Sequence, residues 1–129
     1  MKYLLDTHIF LWWLTKAQNL SKKIIDIIKN PENELYLSAI SSWEICTKIQ
    51  IKKLWLPEDP IYYIPKKINE HNIFELDINH KHSLQLSSLP LIHKDPFDRM
   101  LIAQAIVEKM VLLSFDKIFK KYPITTICK

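Results

Sequence analysis

Apolar positions along the chain follow two alternating rhythms. Short unbroken apolar runs read as buried strands, and longer stretches with apolar residues three and four apart read as helices. Lys2 to Leu5 is the first strand, and Thr7 to Leu14 a short helix. Ser21 is placed to cap a helix over Lys22 to Lys29, whose Ile24, Ile25, Ile27 and Ile28 make one apolar face. Asn30-Pro31 ends it. Glu34 to Leu37 is the next strand, and Ser38 caps a helix over Ala39 to Lys52. There Ile40, Trp43, Thr47 and Ile51 recur at helical spacing. Pro57 and Pro60 bracket a loop, and Ile61 to Glu70 reads as a helix weakened by Pro65. Then follow a strand over Ile73 to Leu76, a helix over Asn79 to Ser88 and a loop over Pro90 to Lys94. Asp95-Pro96 opens a helix reaching Lys109, Val111 to Ser114 is a strand leading to Asp116, and Ile124 to Ile127 is the last strand.

Strands alternating with helices over 129 residues, without repeat or linker, imply a single α/β domain over 1–129 with a mainly parallel sheet. Such sheets bind ligands outside the carboxyl ends of their strands. Two strands here run into acids at that end, Leu4-Leu5-Asp6 and Leu113-Ser114-Phe115-Asp116.

Composition narrows the chemistry. The chain holds no glycine, where roughly nine would be average. A phosphate-cradling P-loop and a dinucleotide fingerprint both need glycine, so both are excluded. Turns are left to Pro, Asn, Asp and Ser. The formal net charge is +4 and the pI about 9.0, a weak preference for a polyanionic partner. Cys46 and Cys128 fit no zinc spacing and read as free thiols of a cytoplasmic protein. No apolar run is long enough to span a membrane, and Asp6 and His8 interrupt what could otherwise be a signal peptide.

Five acids then stand out, Asp6, Glu44, Asp95, Asp98 and Asp116, and the placement of four of them is informative. Asp6 and Asp116 follow strand ends, Glu44 lies about one turn into a helix that follows a strand, and Asp98 lies in the first turn of another. All four belong at one rim. Gathered carboxylates raise one another's pKa, and a divalent cation relieves them. An all-oxygen set suits Mg²⁺ or Mn²⁺, which can activate water against a phosphodiester. Each acid has a plainer reading as well. Asp6 can cap a helix, Asp116 can serve a turn, and Asp95-Pro96-Phe97-Asp98 forms a helix start with Asp95 as cap. Glu44, between Trp43 and Ile45, is the hardest to assign to the surface.

The segments Met1-Lys-Tyr-Leu-Leu-Asp-Thr-His, Leu37-Ser-Ala-Ile-Ser-Ser-Trp-Glu-Ile, His93-Lys-Asp-Pro-Phe-Asp-Arg-Met-Leu-Ile-Ala-Gln-Ala and Leu112-Leu-Ser-Phe-Asp resemble the PIN-domain family. They are most similar to its VapC-type toxins. The resemblance spans essentially the whole chain in order. It implies a central parallel sheet with helices on both faces and a Mg²⁺- or Mn²⁺-dependent endoribonuclease. The family's four acids fall on Asp6, Glu44, Asp98 and Asp116, with Asp6 and Asp98 as principal metal ligands. Asp95 falls outside that quartet, as a cap or a support. Ser114 keeps the hydroxyl of the family's Thr-x-Asp, and Glu108-Lys109-Met110 stands where glycine is common. The resemblance also implies an RNA substrate, a small antitoxin that wraps the toxin and obstructs the acidic pocket, and a homodimer.

Other residues carry open readings. Arg99, the chain's single arginine, either contacts phosphate or forms a surface ion pair. His8 reads as a partly buried helix histidine, and His93 and Lys94 either line an RNA path or sit in a solvated loop. Of the adjacent Trp12 and Trp13, one is expected in the core and the other at the surface. Two rival functions remain open at this level: a receiver-like Mg²⁺-binding regulatory domain, and a non-catalytic binding module whose acids are caps.

Overall fold

The computed structural model describes residues 1–128. Five strands form one sheet: β1 (Lys2–Leu5), β2 (Glu34–Ser38), β3 (Phe74–Leu76), β4 (Val111–Ser114) and β5 (Thr126–Cys128). Their order is β3-β2-β1-β4-β5, and every pairing is parallel. The chain steps outward from β1 through β2 to β3, then returns to lay β4 on the other side of β1. That reversal opens a crevice between the carboxyl ends of β1 and β4, where ligands bind in sheets of this kind.

Alternation along the strands sorts the core into two layers. Tyr3, Leu5, Leu35, Leu37, Val111 and Leu113 point to one face, and Leu4 and Leu112 to the other. The first face is covered by α1 (Thr7–Thr15), α2 (Lys22–Lys29), α3 (Ala39–Gln50) and α4 (Pro60–Glu70), which contribute Ile9, Phe10, Ile24, Ile45 and Ile64. The second is covered by α6 (Pro96–Glu108), through Met100 to Ala105. Between the strand and α6 layers and solvent lies α5 (His80–Gln85), tied to α6 by His82 Nε2 at 2.7 Å from Glu108.

Most elements form where the pattern places them, but the α3 stripe does not. Trp43 and Ile51 are exposed, and the buried side of α3 carries Ile40, Ser41, Glu44 and Ile45. The helix is rotated so that a carboxylate, not the indole, faces inward. Trp12 and Trp13 are both half-buried against the first core layer, so neither is the expected surface tryptophan. Short 3₁₀ turns at Ala17–Asn19 and Lys117–Lys121 are additions that apolar periodicity does not signal. Pro65 lies within α4, where its lost bond falls on the carbonyl of exposed Ile61, which water can satisfy.

Without glycine, three other residues take the left-handed conformation: Lys52, Asn72 and Lys109, with φ of 60°, 53° and 56°. Each follows a helix closed by a backbone bond reaching five residues back: Lys53 N to Lys48 O, Ile73 N to Ile68 O and Met110 N to Ala105 O. These closures normally use glycine. Asparagine tolerates the conformation, but lysine does not share that tolerance, so the expected turn residues are only part of the answer. Lys109→Gly should stabilise the protein by about 0.5–1 kcal/mol, the relief of strain less glycine's extra unfolded-state entropy. Urea unfolding of wild type and variant measures it, and Asn72→Gly should gain less.

Candidate active site

The acids converge at the crevice between β1 and β4. Asp6 follows β1 directly and is 3% exposed. It caps α1, with its Oδ1 accepting from the His8 backbone N–H at 3.3 Å. Its Oδ2 accepts from Ser114 Oγ at the end of β4, at 2.6 Å. One carboxylate therefore caps α1 and also reaches the end of β4, so the cap reading is met without using both oxygens. Ser114 Oγ in turn accepts from the Asp116 N–H at 3.0 Å, so one hydroxyl links both strand-end acids. Asp116 is exposed and caps the Lys117–Lys121 turn through the Ile118 N–H.

Glu44 is 2% exposed. Its Oε2 takes a 2.6 Å bond from Lys48 Nζ one helical turn later, while its Oε1 is buried with no partner. Burial pulls the Lys48 ammonium down, but the Glu44 bond and charge outweigh it and raise its pKa; Asp95 and Asp98 act in the same direction. Thr7 Oγ1 donates to Ser41 Oγ at 2.8 Å and pins the start of α1 to α3.

Asp98 sits in the first turn of α6. Asp95 caps that helix, accepting from the Phe97 and Asp98 N–H groups at 2.9 and 3.4 Å. Burial first, then the charges of Asp6 and Asp95, push the Asp98 carboxyl up to about 7, against a hydrogen bond from His93. His93 Nε2 lies 2.7 Å from Asp98 Oδ2, and a ligand atom of Asp116 joins these two within 4.8 Å. His8 is exposed rather than partly buried, with Nδ1 3.9 Å from Asp6 Oδ1; its pKa is raised, chiefly by the bond to Asp6.

Of the four expected acids, Asp98 and Asp116 thus stand in one tight group with His93; Asp6 joins them through Ser114 and through its charge on Asp98, and Glu44 lies outside that group, connected through Lys48, with Asp95 as the cap of α6. Lys48 and His93 were not assigned to the site from the sequence. Lys48 carried a signal, since Glu and Lys four apart on a helix pair routinely. Nothing in the spacing from His93 to Asp98 marks that contact. Arg99 makes none of the ion pairs found among the described residues: its Nη1 donates to the Pro90 carbonyl at 2.9 Å, tying the loop before α6 to the helix.

The raised Asp98 has a consequence for stability. In the metal-free protein its neutral form contributes stability that is complete below the ordinary value of 3.8 and is lost as pH rises through about 7. Wild type in EDTA should therefore weaken across that window more than Asp98→Asn does. Urea midpoints for both proteins at about pH 5 and pH 8 check this. Parallel curves would mean that Asp98 ionises at an ordinary pKa.

The residues fit a divalent cation. A buried carboxylate oxygen lacks any partner, and burial together with the charges of Asp6 and Asp95 raises the Asp98 carboxyl, a penalty that a bound cation would relieve. Oxygen donors of this kind suit Mg²⁺ or Mn²⁺.

A sequence model of the PIN domain matches residues 3–124. Ribonuclease VapC16 of Mycobacterium tuberculosis is 32% identical over 57 residues, 44% of this chain. The matched stretch spans only 40% of that relative's length. In three dimensions the chain resembles VapBC2 of Rickettsia felis, solved with a fragment of promoter DNA, with a TM-score of 0.75 and 18% identity. It also resembles DNA-bound VapBC of Salmonella typhimurium, with a TM-score of 0.70 and 18% identity. Each of these likenesses covers 99% of this chain and 98% of the other, and at such identities each speaks for the fold. A receiver-like domain is set aside by the family match, and no helix among the described residues is long and apolar enough to cross a membrane. With its sheet order, its helical layers and nearly its whole length matched, the chain belongs to the PIN-domain family.

Proposed function

We propose that this protein is a divalent-metal-dependent endoribonuclease and the toxin of a toxin–antitoxin pair. The observation that carries the reading is the gathering of acids at the strand ends: Asp98 and Asp116 stand together with His93, Asp6 is tied to Asp116 through Ser114, and Glu44, whose partner Lys48 feels Asp95 and Asp98, keeps one buried oxygen unpartnered. Its support from relatives is the name of VapC16, a ribonuclease, and the VapBC assemblies that share the fold.

In this reading Asp6 and Asp98 hold Mg²⁺ or Mn²⁺, and Glu44 and Asp116 complete the shell directly or through water. A bound cation supplies activated water and stabilises charge on the phosphate under attack. The chain's own residues keep the ligands in place. Ser114 and the His8 N–H fix both oxygens of Asp6, Asp95 fixes the first turn of α6, and Lys48 neutralises Glu44. The net charge of +4 favours RNA as partner.

A groove of about 620 Å³ runs from Thr7 and His8, at the edge of the acids, between Trp12, Lys16, Lys53 and Trp55. We place the antitoxin's segment there, its apolar residues on the tryptophans and its carboxylates on the lysines. A homodimer, expected from the resemblance, and a cytoplasmic location complete the proposal; exposed Trp43, edge-on to Phe97, is a surface suited to a second copy.

The purified protein should cleave single-stranded RNA with Mn²⁺ and stop when EDTA is added. Because water is the nucleophile, RNA methylated on its 2′-oxygens should still be cleaved. Cleavage that survives EDTA, or that requires a free 2′-hydroxyl, would overturn the reading. A non-catalytic module would give no cleavage and no Mn²⁺-dependent stabilisation.

A further inference from the structure

His93 lies in a loop, yet it is held as firmly as a residue of an element. Its backbone N–H donates to Tyr122 Oη at 2.7 Å, and its ring meets Phe119 edge-on at 6.1 Å and 72°. Both aromatic partners are buried. Arg99 ties the same loop to α6 through the Pro90 carbonyl. These anchors set Nε2 2.7 Å from Asp98 Oδ2, and one ring nitrogen of His93 and one carboxylate oxygen each of Asp98 and Asp116 lie within 4.8 Å of one another.

We infer that His93 is itself a ligand of the metal centre, through Nε2, so that one nitrogen stands among its oxygens and the site prefers Mn²⁺ to Mg²⁺. The inference rests on the metal-nuclease reading above and adds to it a residue and a selectivity. Adjacent donors on one ion, each at about 2.1 Å, stand about 3 Å apart, close to the spacing already present between His93 and Asp98. The proton shared by that pair leaves to solvent as the cation enters. Three elements contribute: the loop gives His93, α6 gives Asp98, and the end of β4 gives Asp116. Mg²⁺ favours oxygen and water, whereas imidazole suits transition ions. An imidazole that only steadied Asp98 by hydrogen bonding would leave the ion an all-oxygen shell.

Pulsed EPR of the protein loaded with Mn²⁺ separates these cases. A ligating imidazole gives the ion's electron-spin echo a ¹⁴N modulation that an oxygen shell lacks. Wild type should show it, and His93→Asn should lose it while His8→Asn keeps it. Calorimetry should show Mn²⁺ bound about tenfold or more tightly than Mg²⁺ by wild type, with most of that ratio lost in His93→Asn. Wild type labelled with ¹⁵N-histidine should exchange the ¹⁴N signal for a ¹⁵N one, a readout that needs no variant to fold. Mn²⁺ bound without nitrogen coupling would overturn the role of His93 and leave the carboxylate site standing. Coupling that persists in His93→Asn would also overturn it, by assigning the nitrogen elsewhere. Failure of wild type to bind Mn²⁺ at all would remove the metal-nuclease reading and this inference with it.

Discussion

Asp6→Asn should cut RNA cleavage by roughly a hundredfold or more while leaving the fold intact, since a metal contributes several kcal/mol to such a reaction and each 1.36 kcal/mol is tenfold. The two halves of this expectation have separate causes. Asparagine is as good a helix cap as aspartate, so its Oδ1 can still accept the His8 N–H and hold the start of α1. At the other oxygen an amide N–H₂ replaces an acceptor, and the Ser114 hydroxyl can rotate to receive it. What is lost is the negative charge and one oxygen lone-pair direction at the crevice between β1 and β4. Single-turnover cleavage of a labelled RNA, with circular dichroism and thermal unfolding as fold controls, tests both halves. Full activity in Asp6→Asn, with contaminating nuclease excluded, would remove Asp6 from the chemistry.

The same residue shows how far the sequence alone reaches. Asp6 and Asp116 are legible because they follow apolar runs, and a parallel sheet carries its ligands at the ends of such runs. The helix start at Asp95-Pro96 is legible for a local reason, since the cap and proline act within one turn. Glu44 was legible only as an anomaly. The apolar stripe through Trp43 suggests one rotation of α3, but the helix packs Ile40, Ser41 and Ile45 inward and leaves the indole on the surface. Large aromatics carry much hydrophobic surface, so periodicity overweights them. His93 was not legible as a site residue. Its place depends on Tyr122 and Phe119, contributed by a 3₁₀ turn that has no apolar period of its own. The left-handed lysines follow the same logic, because three helix ends must close whether or not the chain supplies glycine.

Lys48→Met should destabilise the metal-free protein by about 1–2 kcal/mol, and Mn²⁺ should restore most of the loss. Removing one partner of a buried ion pair typically costs about 3–5 kcal/mol, because it leaves a charge without compensation. Here the Lys48 side chain is 35% exposed, so water can replace part of what the ammonium supplied, and the cost is discounted accordingly. Glu44 itself is 2% exposed, with Oε1 unpartnered even when Lys48 is present. In the variant neither oxygen has an ammonium partner, and a divalent cation bound among the acids can supply the positive charge that was removed. The Mn²⁺-induced rise in melting temperature should therefore be larger in Lys48→Met than in wild type. Glu44→Gln should remove the difference: the double variant should be about as stable without metal as Glu44→Gln alone, and both should gain less from Mn²⁺. Thermal unfolding of the four proteins, each in EDTA and in Mn²⁺, closes this cycle. If Mn²⁺ stabilised Lys48→Met no more than wild type, Glu44 would be a residue that Lys48 merely neutralises. A larger gain that disappears with Glu44→Gln would place its carboxylate at the metal, where Lys48 does for the empty site what the ion does for the loaded one.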